Sequence, residues 1–90
     1  MEPNSRFRDQ DRRGRLGIIA NIGFQYQNAG DYLKSIEYFD RCIKLNPNEA
    51  YAYNNRAYSK LKLGNTVEAL KDVNTSIMLD KGNAYAYRNR

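Results

Sequence analysis

From Leu16 onward the apolar side chains recur at helical spacing. Ile19, Ile22, Gly23 and Tyr26 fall at i, i+3, i+4 and i+7, one face of a helix. Gly30 closes that helix, because glycine adopts the left-handed conformation that ends a helix without steric cost. A second stripe runs through Tyr32, Ile36, Phe39 and Ile43, and Asn46-Pro47-Asn48-Glu49 separates it from a third. There Asn46 is a candidate cap, Pro47 suits a first helical position, and Glu49 sits where a capping-box carboxylate would. The third helix spans about Ala50 to Leu63 with Tyr53, Ala57 and Leu61 on one side, and Gly64-Asn65 breaks it as Gly30-Asp31 broke the first. Val67, Leu70, Val73 and Ile77 predict a fourth helix. Asp80-Lys81-Gly82-Asn83 predicts a further break, with Ala84 opening a fifth helix. Residues 1–15 have no such pattern and are expected to form a mobile tail, or a short helix at best.

The chain also copies itself. Ala84-Tyr85-Ala86-Tyr87-Arg88-Asn89-Arg90 repeats Ala50-Tyr51-Ala52-Tyr53-Asn54-Asn55-Arg56, 34 positions earlier, with only Arg88 differing from Asn54. A fixed period of this length marks an array of helical hairpins, each stacked on the next. The units are 16–49 and 50–83, with 84–90 as the start of a third. That unit stops after seven residues, so the chain reads as a segment of a longer array or an engineered piece. Asn21/Asn55, Gly30/Gly64, Ile43/Ile77 and Leu45/Leu79 are identical between the two units. The glycine marks the turn and the aliphatics the buried face. The asparagine has no evident architectural task.

These residues resemble the tetratricopeptide repeat family, whose pattern is W-x2-L-G-x2-Y, then A-x3-F, then P. The first unit reads Ile19-x2-Ile22-Gly23-x2-Tyr26, Ser35-x3-Phe39 and Pro47; the second reads Tyr53-x2-Arg56-Ala57-x2-Lys60 and Ala69-x3-Val73. The second departs from the pattern at Arg56, Lys60 and Lys81. Gly23 and Ala57 let the two helices of a hairpin approach closely, and Cys42 and Ser76 fill the second small-residue position. The resemblance implies an all-α fold, with helix-turn-helix hairpins stacked as a right-handed α-solenoid. It also implies a concave groove, lined by the first helix of each hairpin, that receives an extended peptide or a partner helix.

In that frame the groove positions of the first unit are Gly17, Ala20, Asn21, Phe24, Gln27 and Asn28. Those of the second are Tyr51, Asn54, Asn55, Tyr58, Leu61 and Lys62, and those of the third are Tyr85, Arg88 and Asn89. Asn21, Asn55 and Asn89 then form a ladder with one rung per repeat. A carboxamide both donates and accepts, so it can pair with a peptide backbone of any sequence. Phe24, Tyr51, Tyr58 and Tyr85 add the rigid amphipathic surface typical of interface hot spots. The alternative is that the asparagines bond within their own repeat and the tyrosines pack between hairpins. Family members that clamp a C-terminal carboxylate carry lysine and asparagine where this chain has Ala20 and Phe24. They also carry basic residues where it has Tyr85 and Asn89, so the clamp is not expected.

Composition changes this picture little. The net charge of +5 suggests nucleic acid, but its distribution argues against it. Arg6, Arg8, Arg12, Arg13 and Arg15 lie in the first fifteen residues, diluted by Glu2, Asp9 and Asp11, and the repeats are nearly neutral. The tail is expected to be solvated, and the groove holds only Lys62 and Arg88 as cations. There is no histidine, and the single Cys42 is expected to be a small buried side chain rather than a ligand or nucleophile. The acid pairs Glu37/Asp40 and Glu68/Asp72 have the spacing of solvated helix faces. No catalytic constellation, cofactor or metal is expected. No apolar run reaches membrane length, and no secretory signal opens the chain, which leads to an expected cytoplasmic location. A second reading follows from the short third unit. Leu70, Val73 and Ile77 are left partly uncovered, so the chain is expected to associate end to end, to swap elements, or to be marginally stable.

Overall fold

The computed structural model describes the backbone of residues 4–88 and the side chains of residues 14–82. Four helices follow one another: α1 (Asn4–Asn28), α2 (Tyr32–Leu45), α3 (Ala50–Lys62) and α4 (Thr66–Arg88). Each packs on the next, giving two stacked hairpins, α1–α2 and α3–α4, in an all-α hairpin solenoid.

The two hairpin turns are built alike. Gly30 and Gly64 have φ of 85° and 87°, the left-handed region that glycine enters freely. In the first turn the Asp31 N–H donates to the Tyr26 carbonyl; in the second the Asn65 N–H donates to the Lys60 carbonyl. Both are six-to-one closures that satisfy the last carbonyls of the preceding helix. Asp31 then caps α2, its carboxylate accepting from the Lys34 N–H.

The connection between hairpins works differently from the expected capping box. Asn46 is extended (φ −147°, ψ 99°), as a residue before proline must be to avoid the ring. Pro47 lies in the turn, because α3 begins only at Ala50. Glu49 is the N-cap residue but makes no side-chain cap. Its carboxylate accepts instead from Asn46 Nδ2, and Asn46 Oδ1 accepts from the Asn48 N–H.

Both ends of the chain depart from the expected boundaries. α1 begins at Asn4 and runs unbroken into the first repeat, so residues 4–15 are helix rather than tail. α4 passes through Asp80–Asn83 to Arg88, and residues 84–88 continue it instead of opening a fifth helix. The physical reason is the missing proline. Lys81 stands 34 positions after Pro47 and leaves Asp80 free to stay helical, and Gly82 keeps a negative φ.

Inside the first hairpin, Phe39 is fully buried, set edge-on to Phe24 with ring centroids 5.4 Å apart. It lies so close to Gly23 that a Cβ there would meet the ring at 3.1 to 3.3 Å. Between the hairpins, Leu16, Ala20, Cys42 and Ala52 form the buried cluster, with Ile19, Phe24, Ile43 and Leu45 packed around it. The predicted stripes of the second hairpin are only partly covered. Ala57 and Ala69 are buried, whereas Leu61, Val67, Leu70 and Ile77 are exposed.

The ion pairs also correct the sequence reading. Asp72 was expected on a solvated face, yet it is 5% exposed. Its carboxylate takes two hydrogen bonds from Arg56, at 2.8 and 2.7 Å, and a salt bridge from Lys60 at 3.0 Å. Arg56 also reaches Asp40 on α2, at 2.8 Å, and so ties the hairpins together. In the first hairpin the positions of Lys60 and Asp72 are held by Tyr26 and Tyr38, whose rings stack at 5.5 Å. An aromatic pair in one unit thus becomes an ion pair in the other, which accounts for the departures at Arg56 and Lys60.

Candidate binding groove

A hollow of about 500 Å³ opens on the outer face of the second hairpin. α3 supplies Asn54, Asn55, Ala57, Tyr58 and Leu61. α4 supplies Thr66, Ala69, Leu70 and Val73, and Gln27 enters from α1. Its floor is apolar, because the small Ala57 and Ala69 sit where the two helices meet and their neighbours stand up around them. Its rim carries carboxamides and one phenol.

The hollow joins two groups of residues that the sequence reading kept apart. Asn54, Asn55 and Tyr58 were assigned to a peptide groove, Leu70 and Val73 to a self-association face. Ile77 is exposed too, but does not line the hollow. Thr66, Ala57 and Ala69 had not been singled out as site residues. Leu61 had been counted both on a buried stripe and at a groove position, and it belongs to the open hollow.

The remaining groove residues are placed as follows. Gln27 spends its amide nitrogen on the Asn55 carbonyl and on Ser59 Oγ, both at 2.9 Å, so it works as a clasp between hairpins. Ser59 is buried and also bonds Ser35, which donates to the Tyr32 carbonyl. Asn55 donates through Nδ2 to the Tyr51 carbonyl of its own helix at 2.8 Å, leaving its Oδ1 and second N–H. Asn21 and Asn28 are exposed on α1, whereas Ala20 is buried beneath α3 and takes no part in a groove. Phe24 serves the core through its edge contact with Phe39. Tyr58 meets Tyr32 edge-on, and Lys62 Nζ lies 5.4 Å from the Tyr58 ring centroid. Tyr51 is exposed at the edge of the hairpin interface, and partial burial, with Cys42 and Glu49 nearby, pushes its phenol up. Tyr85 and Arg88 lie on the helical backbone of α4, but their side chains, and all of Asn89, fall outside the described residues. The third rung of the ladder is therefore not located.

Electrostatically the hollow itself is neutral, and the charges gather behind it. Hydrogen bonding to Asp72 raises the Arg56 guanidinium further above its ordinary value; burial opposes this and Asp40 adds to it. Burial would raise the Asp72 carboxyl, but the hydrogen bonds and charges of Arg56 and Lys60 together hold it below the usual range. Burial pushes the Cys42 thiol up, with Glu49 adding to the effect, so it is not a poised nucleophile. Among the described residues no three metal-ligating side chains converge, and no helix is long and apolar enough to cross a membrane.

Stacked α-hairpins of 34 residues define a helical repeat module. Two family models described as tetratricopeptide repeat match residues 18–49 and 38–71, together more than half of the chain. The chain belongs to the tetratricopeptide repeat family. It is 37% identical over 60 residues to tetratricopeptide repeat protein 36 of Danio rerio, a match covering 67% of this chain and 32% of that protein. It is 33% identical over 72 residues to DnaJ homolog subfamily C member 7 of Mus musculus, covering 80% and 15%. It is 37% identical over 59 residues to Hsp70-Hsp90 organizing protein 3 of Arabidopsis thaliana, covering 66% and 11%. The chain thus spans about a third or less of the length of these relatives.

Proposed function

We propose that the chain is a non-catalytic protein-interaction scaffold whose hollow between α3 and α4 receives a partner helix or an extended peptide. The observation that carries this reading is the hollow itself. It has an apolar floor large enough for several side chains, ringed by Asn54, Asn55 and Tyr58, which offer hydrogen bonds to a backbone. Family membership supports it, and so does the likeness to the Hsp70-Hsp90 organizing protein 3 of Arabidopsis thaliana. A carboxylate clamp is not part of the proposal. Ala20 stands where its lysine is needed, and is buried. Nucleic acid is a poor fit as well, because no lysine or arginine is among the residues lining the hollow. The scaffold would act in the cytoplasm, with protein or peptide partners and without a cofactor.

Panning a displayed peptide library against the chain tests the reading. Selected peptides are expected to lose at least about tenfold in affinity to Tyr58→Ala and to Leu70→Glu, since central hot spots cost more than ~1.4 kcal/mol each. Peptides that bind both variants as well as the parent chain would place recognition elsewhere.

A further inference from the structure

The contact between the two hairpins is a template for what the open face of the second accepts. α3 sits on the first hairpin with Ala52 buried against Leu16, Ala20 and Cys42, and with Arg56 on Asp40. Moving the receiving residues by 34 positions gives the corresponding positions on α3 and α4, of which Ser76 is buried within the second hairpin. Ala50, Asn54 and Ser76 replace Leu16, Ala20 and Cys42, and Asn74 replaces Asp40. Leu61, Leu70 and Ile77 on or beside this face are 56%, 57% and 47% exposed. A helix that fits here must be bulkier than α3 at the Ala52 position and uncharged at the Arg56 position.

α1 has both properties. At the place of Ala52 it carries Ile18, 63% exposed, and at the place of Arg56 it carries Ile22. We infer that α1 of a second copy of this chain seats on the α3–α4 face, continuing the hairpin-to-hairpin interface from one copy to the next. The changes on the two sides match. Leu16 to Ala50 opens more room than Ala20 to Asn54 takes back, and Ala52 to Ile18 fills it. Asp40 to Asn74 and Arg56 to Ile22 remove both charges together, so neither is buried without its partner. Gln25, at the place of Ser59, stays polar, and its length lets the carboxamide reach the rim while its methylenes cover Ala69. The two surfaces are different patches of the same molecule, so copies add head to tail rather than pairing about a twofold axis. The inference rests on the hollow being a binding site and names its occupant.

Sedimentation velocity from about 10 µM to about 1 mM, the range in which weak interfaces associate, tests it. The average mass of the parent chain is expected to rise with concentration to at least twice that of one copy. Ile18→Glu and Leu70→Glu, both at exposed positions, are each expected to stay monomeric with unchanged helicity. Mixed in equal amounts they are expected to form a dimer and no larger species, because each keeps one intact end. A parent chain that is monomeric throughout, an Ile18→Glu variant that associates like the parent, or a mixture that stays monomeric overturns the inference. The peptide selection separates the two readings. If the parent chain is monomeric but Leu70→Glu loses the selected peptides, only the second-copy occupant is wrong. If copies associate while peptides ignore Leu70, the scaffold reading fails at this hollow.

Discussion

Gly23 faces Phe39 in the first hairpin, and Ala57 and Val73 occupy the same two positions in the second. The pair conserves its combined volume roughly while dividing it differently. A Cβ on Gly23 comes within 3.1 Å of a ring that is itself fully buried and cannot swing away. Gly23→Ala gains about 0.5–1 kcal/mol of helix propensity but meets about 1–3 kcal/mol of overpacking, so a net loss of stability is expected. Phe39→Val is expected to cost less in the Gly23→Ala background than alone. A double-mutant cycle by urea denaturation should therefore give a coupling above about 0.5 kcal/mol. The Asp72 cluster makes a second prediction at this scale. The carboxyl has a folded pKa below its unfolded value of about 3.9. Its contribution is therefore present above the unfolded value and lost as pH falls through the folded one. Acid titration followed by circular dichroism should show stability falling below about pH 4, with a shallower fall in Asp72→Asn. Arg56→Ala, which strips the main partner from a nearly buried carboxylate, is expected to destabilise at neutral pH by about 2–4 kcal/mol, below the upper range for wholly buried pairs because Arg56 is partly exposed.

At the scale of elements, proline and glycine decide where helices end. Gly30 and Gly64 hold left-handed turns, so Gly30→Ala is expected to cost about 1 kcal/mol and lower the melting temperature by about 4–8 °C. α4 runs on to Arg88 because nothing at Asp80–Asn83 forces it to stop. Lys81→Pro is expected to end the helix near Asp80. Amides beyond Gly82 should then exchange faster, while those of α2 and α3 keep their protection. The boundaries of the two glycine turns were legible in the sequence, since each glycine follows a helical stripe and precedes another. The end of α4 was not, because a Lys-Gly-Asn run permits either a turn or a helix. Nor was the buried Asp72, since helical spacing alone does not say which acid the next helix will cover.

For the whole molecule, the interface between hairpins governs cooperativity. Cys42 lies at its centre, fully buried against Leu16, Ala20 and Ala52, with its thiol pushed up by burial. Native chain should react with a thiol reagent only at the rate of opening, and the rate should rise in Arg56→Ala, whose hairpins have lost their ionic tie. A Cys42 that labels as fast as an unfolded chain would mean that the hairpins part freely. The candidate site belongs to this scale as well. Its polar half was legible in the sequence, because Asn54, Asn55 and Tyr58 fall at groove positions of a repeat. Its apolar half was read as a separate exposed face, because Leu70 and Val73 lie on another helix and only packing brings them beside Tyr58.

Sequence alone determined the period, the hairpin turns and the family, since these depend on local propensities: glycine at left-handed φ, proline between units, apolar residues at helical spacing. Tertiary structure decided which apolar residues are buried. Each helix here carries more apolar positions than one neighbour can cover. Ala52 is buried and Leu61 is not because α3 is covered by the first hairpin on one side and, among the described residues, by nothing over the hollow on the other.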